Sequence, residues 1–417
     1  MLRTSLRFTW LRVCAALSLA LLTTSSAPAA TEFRVLHSFH CNPSSCYPSG
    51  GLAFDAGGEL YGTTFGGGNS NATIFRLTPS AGDRWTYSLL YTLTINQGSA
   101  LMAGVALDPA GNLYGTADYG GAHDVGSVFE LSPDPTVAEG WTLHVLHSFL
   151  NSHADGQGPW DKVILDKAGN VYGTTRDGGA EGAAGGVVFE LTPGTGGEWA
   201  EKILYGFPAN RDGCCSQAEL IFDEAGNLYG TAVSDGGPPC YCGVVFELRH
   251  TSTGWKEAVL HRFQGPDGGY PITGLVFDAK GNLYGTTQVG GANGEGTVFQ
   301  LTPTGDGRWK HTILYDFPEF RNGGGPVSTL AFDKAGNLYG TAAGGTGPCS
   351  GGCGVVYKLA PGSNGKWTYS VLHRFTDKGD GAEPNGAVVF DKTGTHLYGT
   401  AIFGGTYNQG VAYEITP

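Results

Sequence analysis

Two stretches of this chain put charged and aromatic side chains where the surrounding pattern calls for small ones. Trp160, Asp161 and Lys162 follow His153 and Asp155 in one glycine-containing segment, and Glu219 holds the same repeat position as Lys162 one unit later. An indole face beside a cation and a carboxylate suits a sugar ring or a peptide, because the ring supplies apolar area and the charged groups fix orientation. The competing reading is an ion pair beside a packed Trp160, which needs no ligand. These six residues are the candidate ligand contacts. Catalytic constellations are lacking: the chain has no Gly-x-Ser-x-Gly elbow and no His-Glu-x-x-His. Its glycine-rich loops, such as the one from Gly178 to Gly186, lack the lysine and following helix that a phosphate cradle needs. No catalytic residue, metal or cofactor is therefore expected.

The elements that must position those residues follow from one phrase, Asp-x-x-Gly-Asn-Leu-Tyr-Gly-Thr, clearest at Asp108–Thr116, Asp223–Thr231 and Asp333–Thr341. Its aspartates are Asp55, Asp108, Asp166, Asp223, Asp278, Asp333 and Asp391, a period in the range of tandem-repeat architectures. An apolar run precedes each aspartate and Leu-Tyr follows the glycine, so the phrase reads as a tight hairpin. Its aspartate accepts backbone N–H groups and its glycine supplies positive φ. The copy with Glu59 in place of asparagine, and the last copy with His396 and an extra residue, fit a turn better than seven identical ligand sites. Around Asp278 the unit is laid out as four strands: Gly274 to Phe277, Asn282 to Thr287, Gly296 to Pro303 and Trp309 to Phe317. The third strand recurs at Val188–Pro193 and Ala412–Pro417, and each copy alternates apolar and polar as a half-buried strand must. Seven such units predict an all-β, seven-bladed β-propeller. The segment Phe33–Phe39 matches the fourth strand of a unit, and the unit after Asp391 lacks one, so the N-terminal strand is expected to close the ring and remove its open edge.

Histidines recur in the fourth strand at His37, His147, His261 and His373, where other units have Tyr91, Tyr205 and Tyr315. A ring with a polar tip satisfies both sets, so packing is expected there and not metal ligation.

Composition agrees: 70 glycines, 21 prolines and two methionines describe a turn-rich β protein. Residues 1–29, with Arg3, Arg7 and Arg12, an apolar stretch from Val13 to Leu22 and Ala27-Pro28-Ala29, read as a signal peptide too short to span a bilayer. Residues 30–417 are then one propeller domain, exported to the periplasm or beyond, with no membrane span. The formal net charge of −13 argues against nucleic acid as a partner. The eight cysteines after the leader are Cys41, Cys46, Cys214, Cys215, Cys240, Cys242, Cys349 and Cys353. An even count in an exported chain favours disulfides. Local bridges Cys41–Cys46 and Cys349–Cys353 are plausible, and the regions of Cys214-Cys215 and Cys240–Cys242 should meet. Adjacent Cys-Cys and Cys-x-Cys do not have the spacing of structural zinc sites.

The Gly-Asn-Leu-Tyr-Gly-Thr phrase, the Val-Phe-Glu-Leu-Thr-Pro strand and the Trp-x-x-x-Val-Leu-His-x-Phe strand together resemble the GloVer tandem repeat of bacterial exported proteins, across essentially the whole mature chain. More loosely, Asp-x-x-Gly-Asn-Leu-Tyr is similar to the blade signature of NHL-type propellers. The resemblance implies export and a propeller-like ring and names no activity. Such proteins often carry a C-terminal surface anchor, which the sequence ending at Pro417 directly after a strand does not lead one to expect. The loops joining strands two to three, and four to the next strand one, share one face and vary in content, which suits binding loops on a stiff scaffold. Three functions are compatible with these features: a monomeric binding or scaffold module for a glycan, peptide or protein; a propeller hydrolase or lyase; and a purely structural envelope or matrix protein.

Overall fold

The structure, a computed structural model, describes residues 31–41, 46–66, 71–150, 152, 155–179, 185–208, 215–234, 242–363 and 365–417. Within Thr31–Pro417 the strands form seven four-stranded antiparallel sheets, each with its strands in meander order. Blade 1 is built from Ala53–Phe54, Leu60–Thr64, Thr73–Ser80 and Arg84–Thr92. Blades 2 to 6 repeat that order. In blade 7 the inner strands Val389–Phe390, Leu397–Ala401 and Val411–Thr416 are completed by Glu32–Ser38, which pairs antiparallel with Val411–Thr416 from Glu32 opposite Thr416 to Ser38 opposite Val411. This is a seven-bladed β-propeller closed by its N-terminal strand. No helix among the described residues is long and apolar enough to cross a membrane.

Every residue of the repeated phrase has a physical task. In the Asp108 copy the carboxylate accepts the N–H groups of Ala110 and Asn112 and the Asn112 amide, while Gly111 sits at φ 89°. The same set recurs at Asp166, Asp223, Asp278 and Asp333, which is turn chemistry. The leucine is buried in the core. The tyrosine hydroxyl reaches back to the turn aspartate, as Tyr284 to Asp278 at 3.0 Å. The following glycine leaves room for an aromatic ring of the third strand: a Cβ on Gly285 would stand 2.7 Å from the Phe299 ring. The threonine ties neighbouring blades, donating to the carbonyl five residues before the next motif aspartate: Thr63 to Ala103, Thr116 to Asp161, Thr174 to Ala218, Thr231 to Thr273 and Thr400 to Gly50.

Between the third and outer strands every blade carries a β-bulge at a leucine: Leu36, Leu90, Leu146, Leu204, Leu260, Leu314 and Leu372. The extra residue packs toward the gap between blades, and seven apolar clusters fill the seven gaps. The cluster of Phe39, Leu52, Phe75, Tyr398 and Ala412 joins blade 7 to blade 1, so the ring closes by packing as well as by strand pairing.

Disulfides join Cys41 to Cys46 and Cys349 to Cys353. Cys242 is disulfide-bonded as well. Cys214 and Cys240 lie outside the described residues, and Cys215 is half-buried.

Candidate functional site

Segments leading into the inner strands converge on a cavity of about 280 Å³. Small and neutral groups make up most of its wall, among them Gly51, Gly104, Ser328, Thr329 and Ala387. Asp161, Lys162 and Glu219 are the charged residues of that wall, and Trp160 stands beside them.

The segment carrying Trp160 is held from several sides. Gly156–Gln157 pairs with Asp177–Gly178 in a two-stranded ribbon, the Gly158 N–H donates to the Val125 carbonyl, and Arg176 N–H donates to the Gly158 carbonyl. In most other blades a single bridge does this job, such as Ser99 with Tyr119 or Gly269 with Val289. The variable-loop face is therefore stiffened blade by blade. Trp160 is half-buried, with the Arg176 guanidinium 5.4 Å from its ring centre. Arg176 is in turn held by Asp177 at 2.9 Å and Asp118 at 3.7 Å.

Lys162 Nζ meets Glu219 Oε1 at 2.7 Å, across the boundary of blades 3 and 4. Asp161 accepts the N–H of Lys162 on one carboxylate oxygen and the N–H of Glu219 on the other, both at 2.6 Å, while its carbonyl accepts Thr116 of blade 2. One residue thus links three blades. Burial in the channel and the charge of Glu219 push Asp161 up to about 7, against the pull of its N–H donors and of Lys162. Lys162 is held above its ordinary value: burial acts against its charge, and Glu219 and Asp161 outweigh it.

One predicted contact separates from this group. Asp155 is buried away from the cavity, where it accepts Leu150 N–H and Gly156 N–H at 2.7 Å and meets His147 Nε2 at 3.2 Å. His153 lies outside the described residues. The neutral wall groups Gln217, Gln288 and Asn385 were not singled out from sequence, because amides in variable loops carry no pattern of their own.

A ring of seven four-stranded blades with a narrow, mostly uncharged central mouth defines a β-propeller whose distinctive chemistry sits at one sector of the channel. The chain belongs to the Gloeobacter/Verrucomicrobia repeat family, whose repeat matches residues 23–139, 71–256 and 233–417. No curated protein sequence matches it. Solved structures similar in backbone include a gluconolactonase from Xanthomonas campestris, with a TM-score of 0.42 and 15% identity over 82% of this chain and 94% of that one. Another is a protein of unknown function from Dyadobacter fermentans, with a TM-score of 0.47 and 11% identity over 93% of this chain and 98% of that one.

Proposed function

We propose that this protein is exported after removal of residues 1–29 and that residues 30–417 act as a binding propeller for a glycan, peptide or protein end presented to the channel mouth. Export is supported by the apolar leader with its arginines and by the disulfides, which persist in oxidising compartments. The observation that carries the binding reading is the asymmetry of the mouth: charge comes from two adjacent blades, beside the half-buried Trp160, in a wall otherwise made of small and neutral groups. A cavity of about 280 Å³ is at the lower end of ligand pockets, so it takes one sugar ring or one side chain, with the rest of the ligand outside. Trp160 is the platform, and Lys162 and Glu219 are the polar contacts. A hydrolase or lyase is less well supported. Asp161 has a value suited to a general base, but both of its oxygens already accept backbone N–H groups.

The test is a glycan and peptide binding screen of the purified protein, repeated with Trp160→Ala. A saturable ligand should lose on the order of 2 kcal/mol or more of binding in the variant, as an interface anchor does. The melting temperature should move little, since the lost Arg176 contact is worth only about 0.5–1 kcal/mol. A variant that melts much earlier yet binds the ligand unchanged would make Trp160 a packing residue and end this reading.

A further inference from the structure

At several junctions between blades, two residues of adjacent outer strands face one another, and at four of them they stack as rings. His37 lies on Tyr87 at 4.2 Å, His261 on His311 at 4.2 Å, Tyr315 on Tyr369 at 4.7 Å and His373 on Phe33 at 3.7 Å, all within 9° of parallel. At the junction of blades 2 and 3 the ring is replaced by a carboxylate: His147 faces Glu201. Asp155 completes the group. His147 Nε2 is 3.2 Å from Asp155 Oδ2 and 3.6 Å from Glu201 Oε2, and one ligand atom from each of the three residues lies within 4.8 Å of the others.

We propose that His147, Asp155 and Glu201 bind a divalent transition-metal ion of the zinc type, which clamps blades 2 and 3 together at the outer strands.

Geometry is the first support. Ligands about 2.0–2.2 Å from a tetrahedral ion stand roughly 3.3–3.5 Å apart, close to the two His147 separations, and the third separation lies within 4.8 Å. The donor set of one imidazole and two carboxylates is that of a borderline cation with water in the remaining position. His147 and Glu201 side chains keep 19% and 17% exposure, enough for that water to enter. Asp155 is oriented in advance by the Leu150 and Gly156 N–H groups, as metal carboxylates are.

Unsatisfied chemistry is the second support. Glu201 Oε1 is buried and has no hydrogen-bond partner among the described residues. A buried and a half-buried carboxylate facing one imidazole call for a proton or a cation among them.

The sister group His261, Asp267 and His311 is arranged differently. Its imidazoles are stacked 7° from parallel, so their in-plane lone pairs cannot point at one ion between them. At the junction of blades 2 and 3, where a carboxylate replaces the second ring, the three ligand atoms approach one another without that stacking.

The experiment uses untagged protein, treated with a chelator, dialysed and titrated with ZnCl2 in a calorimeter, with metal content measured on the same sample. One equivalent of Zn2+ should bind and raise the melting temperature. Glu201→Gln should weaken binding at least tenfold. Glu201→Tyr, which installs the residue found as Tyr87 and Tyr369, should fold and abolish it. His261→Phe should leave it intact. The proposal is overturned if no Zn2+ binds tighter than about 1 mM, or if one equivalent still binds to Glu201→Tyr.

Discussion

His37 and His311 are held neutral by burial, each lowered to about 4, with the charge of His261 adding to the effect on His311. The unfolded rings take a proton near 6.5. Their contribution is therefore intact above about pH 6.5 and is lost as pH falls toward 4, because only the unfolded chain gains the proton. Asp161 acts in the opposite sense: raised to about 7, it holds a proton in the fold that the unfolded chain releases, and it penalises the fold as pH rises from about 4 to 7. A wild-type curve alone mixes these slopes. His311→Phe separates them, since it keeps a ring on His261 and removes one proton site. Relative to wild type the variant should gain about 1–2 kcal/mol between neutral pH and about pH 5, measured by denaturant unfolding at both values. An equal difference at the two pH values would show that His311 is not held neutral. The register of the fourth-strand histidines was legible in the sequence. Their partners were not, because each repeat read alone contains only one half of a pair that forms across a junction, and Glu201 looks like any polar residue of an outer strand.

Turns and bulges are the elements on which the repeat depends, and they differ in how openly the sequence declares them. The Asp-x-x-Gly hairpin is visible because its side chain and its positive φ demand particular residue types. The leucine bulge is invisible, because Val-Leu-His reads as ordinary strand and only pairing reveals the extra residue. Four strands per blade were legible, yet their ends moved: the inner strands keep two paired residues, as Val276–Phe277, since the segment before them leaves its partner to line the channel. Loops on the variable face are tied by covalent bonds over short spans, Cys41–Cys46 separated by 5 residues and Cys349–Cys353 by 4. Closing loops that short stabilises by roughly 2 kcal/mol each. Reduction should thus lower the melting temperature by a few degrees while far-ultraviolet circular dichroism stays unchanged. Digestion without reduction should also join the peptide of Cys242 to the Cys214-Cys215 region or leave it bridged to Cys240. Protein from its native compartment with free thiols at all four of these positions would count against oxidative export.

The whole ring depends on a strand that comes from the other end of the chain. Blade 7 is the one sheet whose outer strand is not joined to its third strand by a hairpin, and Glu32 lies directly opposite Thr416. In blade 5 the equivalent step, from Pro303 to Trp309, is a five-residue turn. Without residues 31–40 the Val411–Thr416 strand would present unpaired N–H and C=O groups, and Phe39 would leave the cluster between blades 7 and 1. The deletion should therefore associate through that edge, seen as oligomers by light scattering, and melt at lower temperature. Loss of a stabilising segment alone would give the same result, so the decisive variant moves the segment. Residues 31–40 appended after Pro417 through a turn of about five residues would give blade 7 the connectivity of the other six blades, and loop closure on that scale costs little. This permuted protein should be monomeric and melt close to the parent. A deletion that stays monomeric at the parental melting temperature would sink the closure argument. So would a permuted protein that aggregates like the deletion, because the strand would then be needed for something other than completing the sheet.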